Sequence, residues 1–180
     1  MPRPPGLDKD AVVDAAVQAH AQGTVERHFQ ASQLPRLAEA GIVEPAEIRI
    51  AVRFSIVEGR VALSGDLHGL VTMTCQRCMQ SVAVDVSDEF QLVIVDDEVE
   101  RRQLEETASG YEPIVADAAR FDMQWLAEEQ TLLSVPLVPK HDDERCAPSD
   151  AMAPTMQEAK EENGVSQHPF ASLKELLRDK

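Results

Sequence analysis

Val61-Ala62-Leu63-Ser64-Gly65-Asp66-Leu67-His68-Gly69-Leu70-Val71-Thr72-Met73-Thr74 runs directly into Cys75-Gln76-Arg77-Cys78. From Val61 to Met73 every second place is apolar or glycine, the period of a strand with one buried face. Beyond the cysteines, Val82, Val84, Val86, Phe90, Leu92 and Ile94 keep the same period. The CxxC therefore falls at the join of two adjacent antiparallel strands.

Working outward, Ile48, Ile50, Val52, Phe54 and Ile56 alternate with Glu47, Arg49, Arg53 and Ser55. Glu58-Gly59 supplies a tight turn, which makes a hairpin of the strands on either side. Three strands over 47–57, 60–74 and 80–95 form an antiparallel meander whose apolar face needs a cover. The spacing predicts that cover as an amphipathic helix over 121–135, capped by Asp122. Phe121, Trp125, Leu126, Leu132 and Leu133 give its apolar side, with a buried Trp125 as the largest anchor and Glu128 and Glu129 solvated. Val135-Pro136-Leu137-Val138-Pro139 then runs extended.

The flanks read more weakly. Val12, Ala15, Ala16 and Ala19 share a helical face within 7–22, with Asp8 or Asp10 as cap and Gly23 as stop. Thr24 to Gln30 reads as a short strand. A second short helix opens at Ser32-Gln33-Leu34-Pro35, with proline in its first turn, and ends at Gly41. Residues 96–106 hold six acidic residues against Arg101 and Arg102, a solvated loop or short helix outside the core. Tyr111 to Val115 is extended, and Pro113 suits an edge strand.

These readings give an α+β chain in four parts. An N-terminal arm and helix spans 1–22, and the antiparallel sheet domain spans 23–140. An acidic linker spans 141–165, disordered by composition, since 142–162 holds seven acidic and two basic residues with no periodicity. A short C-terminal amphipathic helix spans 166–180, where Phe170, Leu173, Leu176 and Leu177 form one stripe suited to a partner.

A formal net charge of −15 disfavours a broad phosphate-contacting surface and suits a basic protein partner. The N-terminus lacks the apolar core of a secretory signal, and no stretch approaches the roughly 20 apolar residues of a membrane span. An odd cysteine count argues against a secreted disulfide framework and for a cytoplasmic protein.

The CxxC is the short stretch with chemistry in it, and three readings stay open. A redox dithiol belongs at a helix N-terminus, whereas this one lies between strands. A zinc site needs two further ligands, for which His141 and Cys146 are candidates of the right type beside Cys75 and Cys78. The third is structural: small buried thiols at a strand end, with Cys146 idle in the tail. The five histidines are scattered without a neighbouring nucleophile motif, so no enzyme is expected.

Several separated stretches, in order, resemble the YceD family, the large ribosomal RNA subunit accumulation proteins. They are the apolar strand ending in Cys75-Gln76-Arg77-Cys78, then Tyr111-Glu112-Pro113-Ile114, then Leu133 through His141-Asp142 with Cys146, and last Pro169-Phe170-Ala171-Ser172-Leu173 with Leu176. The resemblance implies a cytoplasmic role in the synthesis, processing or stability of 23S ribosomal RNA, with no active site to carry over. It also implies a variable metal role, since some members carry extra cysteines near the place of Cys146 that look like a zinc site and others lack the CxxC. Two routes to the large-subunit precursor follow. One is indirect, through a basic ribosomal protein or assembly factor. The other is direct RNA contact through a local basic strip of Arg49, Arg53, Arg60 and Arg77.

Overall fold

The computed structural model describes residues 11–105, 110–143 and 146–147, all within the compact unit Met1–Ser149. The expected terminal helix, with its Phe170, Leu173, Leu176 and Leu177 stripe, and most of the acidic linker lie outside the described residues.

The order is β1 (Val12–Val13), α1 (Ala15–His20), β2 (Thr24–Gln30), α2 (Pro35–Glu39), β3 (Val43–Val57), β4 (Arg60–Thr74), β5 (Ser81–Val95), α3 (Glu98–Glu105), β6 (Glu112–Val115), β7 (Phe121–Asp122) and α4 (Met123–Ser134). A five-stranded sheet runs β2-β3-β4-β5-β6, and β1 pairs with β7 in a separate ribbon. The meander is as the period-two pattern predicts. β3 and β4 meet through a two-residue turn in which Glu58 and Gly59 both take positive φ (50° and 80°), the mirror-image turn that matches strand twist. β2 adds to β3 antiparallel, and β6 adds to β5 parallel, so the sheet is mixed.

One sheet face is the core. Ile48, Ile50, Val52 and Phe54 of β3 and Leu63, Leu67 and Val71 of β4 are all at most 1 % exposed. They share one cluster with Ala15 and Ala19 of α1, Leu37 of α2, and Met123, Leu126 and Ala127 of α4. Phe54 and Phe121 meet edge to face at 6.4 Å. Leu92 to Val95 is buried on both faces, because β6 and α3 flank this end of β5. That explains why the sequence there is continuously apolar rather than alternating.

Gly65 and Gly69 point into the core at the middle of β4. A Cβ at Gly65 would lie 2.3 Å from the Ala51 carbonyl oxygen and 2.7 Å from the Phe90 ring. At Gly69 it would lie 2.5 Å from both the Glu47 carbonyl oxygen and the Ile48 side chain. The absence of side chains there lets neighbouring strands close over β4.

Three expectations are corrected. The first helix starts later than 7–22 suggests: Asp14, neither Asp8 nor Asp10, caps α1 through a 2.9 Å bond from the Val17 N–H, and Val12 pairs with β7 as strand. Asp122 does cap α4, accepting from the N–H groups of Gln124 and Trp125. The buried side of α4, however, is Met123, Leu126, Ala127, Gln130 and Thr131, while Leu133 is 68 % exposed and Trp125 only half-buried. Glu128 is buried rather than solvated, at 4 % exposure, because its carboxylate accepts the Arg36 N–H of α2 at 2.9 Å. Burial pushes that carboxyl above its ordinary range, against the pull of the Arg36 N–H and charge. Arg36 also pairs with Glu129 at 2.7 Å.

The acidic stretch after β5 is α3, none of whose residues is buried. It is tied to the sheet by Glu100, 2.7 Å from Arg60. Arg101 spans Glu98 and Glu105 on its surface. Among the described residues no helix is long and apolar enough to cross a membrane.

The glycine contacts carry a prediction. Gly65→Ala should destabilise the domain by about 1–3 kcal/mol, the range for forcing extra volume into a packed core. In urea the midpoint should fall with an unchanged slope; a midpoint equal to that of the parent would show that the strands are not closed over β4.

Candidate metal centre

The CxxC turn is built by its backbone. The Cys75 N–H donates to the Gln80 carbonyl (2.8 Å) and the Met79 N–H to the Cys75 carbonyl (2.9 Å). Met79 takes φ +60°, a left-handed conformation uncommon for a residue with a side chain. Cys75, at the end of β4, is fully buried, and Cys78 is half-buried. The chain leaving α4 returns to this turn: the Gln76 N–H donates to the Pro139 carbonyl at 2.8 Å. That bond sets down the next residues beside the two thiols.

His141 and Cys146 complete a cluster. Cys75 Sγ lies 3.6 Å from Cys146 Sγ, and His141 Nδ1 lies 3.4 Å from Cys78 Sγ and 3.6 Å from Cys146 Sγ. All four ligand atoms fall within 4.8 Å of one another. Tetrahedral bonds of about 2.3 Å to sulfur and about 2.0–2.1 Å to nitrogen would set S···S near about 3.8 Å and S···N near about 3.5 Å. The Cys75–Cys146, Cys78–His141 and Cys146–His141 separations lie close to those values.

Two further contacts hold the late ligands. His141 Nε2 lies 3.0 Å from the Ser81 carbonyl oxygen. A carbonyl can only accept, so Nε2 carries the proton and Nδ1 presents its lone pair to the sulfurs. The Arg77 guanidinium donates to the Cys146 carbonyl at 3.1 Å. Of the candidate basic strip, Arg77 is therefore a brace of this cluster.

The thiols are electrostatically unequal. Burial works to raise Cys75, but hydrogen bonds from Cys78, Arg77 and His141 outweigh it and bring the thiol down to about 5. Cys146 is pushed up to about 11 by burial, by its contacts with Cys78 and Cys75, and by their charge. Three sulfurs this close cannot all become thiolates unaided, and a divalent cation is what would let them. The cluster can hold such an ion in a closed, four-ligand shell of the structural type. No helix follows the CxxC to activate a redox thiol. Nor is Cys146 idle, as the purely structural reading has it, because its sulfur meets Cys75.

The remaining arginines are scattered over other partners. Arg49 and Arg53 lie on the sheet face away from the core. Arg49 pairs with Glu26 (2.9 Å) and Asp66 (3.2 Å), and the hydrogen bonds from Arg49, then His28, hold the Glu26 carboxyl down at about 2. Arg60 is held by Glu100. Among the described residues Arg53 has no ion pair. Sequence reasoning named all four cluster side chains but missed the Pro139 and Ser81 carbonyls. Backbone groups leave no residue-type signal, so nothing in the sequence could have found them.

A mixed sheet with a three-cysteine, one-histidine cluster clasped across one end defines a small α+β protein with a closed metal-type site. Residues 63–177 match the family described as "Large ribosomal RNA subunit accumulation protein YceD", and the chain belongs to that family. A relative from Haemophilus influenzae (strain ATCC 51907 / DSM 11121 / KW20 / Rd) with that same description is 28 % identical over 151 residues, covering 83 % of this chain and 84 % of its own. No solved structure matches the chain. The matched span begins in β4 and includes all four cluster residues.

Two substitutions test the cluster. His141→Ala and Cys146→Ser should each weaken divalent-metal affinity of the full chain by at least about 100-fold, since lost outer-shell contacts alone cost 10–100-fold. Titration of metal-depleted protein with cobalt(II), followed by its thiolate charge-transfer absorption, would read this out. Parent-like curves for both variants would limit any site to the CxxC turn.

Proposed function

We propose that this protein is a non-enzymatic, cytoplasmic factor supporting accumulation of 23S ribosomal RNA during large-subunit biogenesis, through direct contact with a basic ribosomal protein or assembly factor. Family membership over residues 63–177 carries the reading. The net charge of −15 favours a basic protein as the direct partner. The engagement of Arg49, Arg60 and Arg77 with groups of this chain weighs against the competing route by direct RNA contact. In this reading the ion of the cluster is zinc, held by Cys75, Cys78, His141 and Cys146. It acts as a structural clasp that fixes the chain after α4 against the sheet. The Phe170, Leu173, Leu176 and Leu177 stripe, taken from sequence, offers the partner a second contact.

Cells lacking the protein should accumulate less 23S than 16S RNA, and an unchanged ratio would remove the biogenesis role. Tight binding of naked 23S fragments by the purified protein would transfer the contact from protein to RNA. Purified chain should carry close to one zinc, and Cys75→Ser should lose it and unfold at lower denaturant.

A further inference from the structure

Among the described residues, strand β5 has a long edge that no other strand covers. β4 lies along one side of it throughout, whereas β6 pairs only with Leu92–Val95 on the other. Successive residues of a strand aim their backbone groups at opposite sides. The Ser81 carbonyl takes the His141 Nε2–H and the Val95 carbonyl takes the Ala116 N–H, so the odd-numbered residues face this edge. Ala83, Asp85, Ser87 and Glu89 each present an N–H and a C=O there. Among the described residues no hydrogen bond reaches any of them.

Natural edges are usually blunted by charged side chains, lysine above all, or by proline, bulges or short length. Here the register with β4 is unbroken, and Ser81 to Gln91 contains neither lysine nor proline. Asp85, Asp88 and Glu89 stand there instead. The sign of these charges decides what can pair. A second copy lying antiparallel would set carboxylates against carboxylates, which like-charge repulsion across strands disfavours.

We propose that this edge receives an extended basic segment of the partner protein as an added strand. The surroundings specify its side chains. On the outer face Ala83 and Ser87 are small and exposed, leaving room for long cationic side chains that reach Asp85 and Glu89. On the core side the half-buried Val84 would be covered by an apolar neighbour. The segment therefore alternates lysine or arginine with apolar residues, its main chain giving affinity and its alternate side chains specificity. His141 sits on the Ser81 carbonyl, so the cluster marks where the open edge begins. The inference rests on the reading of a basic protein as direct partner.

The test uses the full chain and a dye-labelled, end-capped peptide of about ten residues alternating Lys and Val, with a Glu–Val peptide and a block-ordered Lys/Val peptide as controls. The alternating Lys–Val peptide should bind best and slow amide exchange at Ala83, Asp85, Ser87 and Glu89. Ser87→Pro removes an outward N–H without touching the bonds to β4 and should weaken binding about tenfold or more. Should that variant not fold, Asp85→Lys with Glu89→Lys carries the test, and it should shift preference to the Glu–Val peptide. Protection of these amides in the free protein would overturn the proposal, because a segment of the same chain or a second copy would then fill the edge. Equal binding of the block-ordered peptide, or full-strength binding by both variants, would also overturn it. Failure here leaves the 23S-to-16S ratio as it is, whereas an unchanged ratio would not alter peptide binding.

Discussion

β4 can be the middle strand of this sheet only because Gly65 and Gly69 carry no side chain. The Ala51 and Glu47 carbonyls and the Phe90 and Ile48 side chains occupy the space that a Cβ would take at these positions. Closing of the neighbours over β4 gathers Ile50, Leu67 and Val86 into one inner surface broad enough to receive α1, α2 and α4. Interior packing tolerates little extra volume, so these two positions govern more of the core than their size suggests. The same central strand delivers Cys75 to the cluster at its far end.

The meander was legible because its period is local. Each side chain of β3, β4 and β5 shows its face through its immediate neighbours, and Glu58-Gly59 shows the turn between the first two. What was not legible depends on partners distant in sequence. Glu128 has the residue type of a solvated position, and only the N–H of Arg36 in α2 makes a buried carboxylate tolerable there. On the same helix Leu133 faces out. Likewise Val12 and Val13 read as the start of a helix until Phe121 and Asp122 are beside them as a strand. The parallel pairing of β6 follows from the α3 crossover, which short-range pattern does not report.

The cluster divides in the same way. Cysteine and histidine announce themselves by type, and Cys75, Cys78, His141 and Cys146 were named on that ground. Their convergence rests on a hydrogen bond from Gln76 to the Pro139 carbonyl and on the hold of the Ser81 carbonyl over His141. Both acceptors are main-chain atoms, equally present at every residue. Composition pointed the other way, since an acidic stretch without periodicity has the features of a free linker.

Synthesis from the N-terminus imposes an order on this clasp. By the time Val95 has emerged, β2 to β5 can pair, yet α4 and both late ligands, His141 and Cys146, have still to be made. The nascent chain passes through a stage in which the apolar sheet face lacks its α4 cover and two thiols lack their partners. A product truncated between α4 and residue 141 would cover the sheet face yet keep two thiols without their partners. The cluster thus closes only on a chain translated to Cys146, near the end of its compact unit.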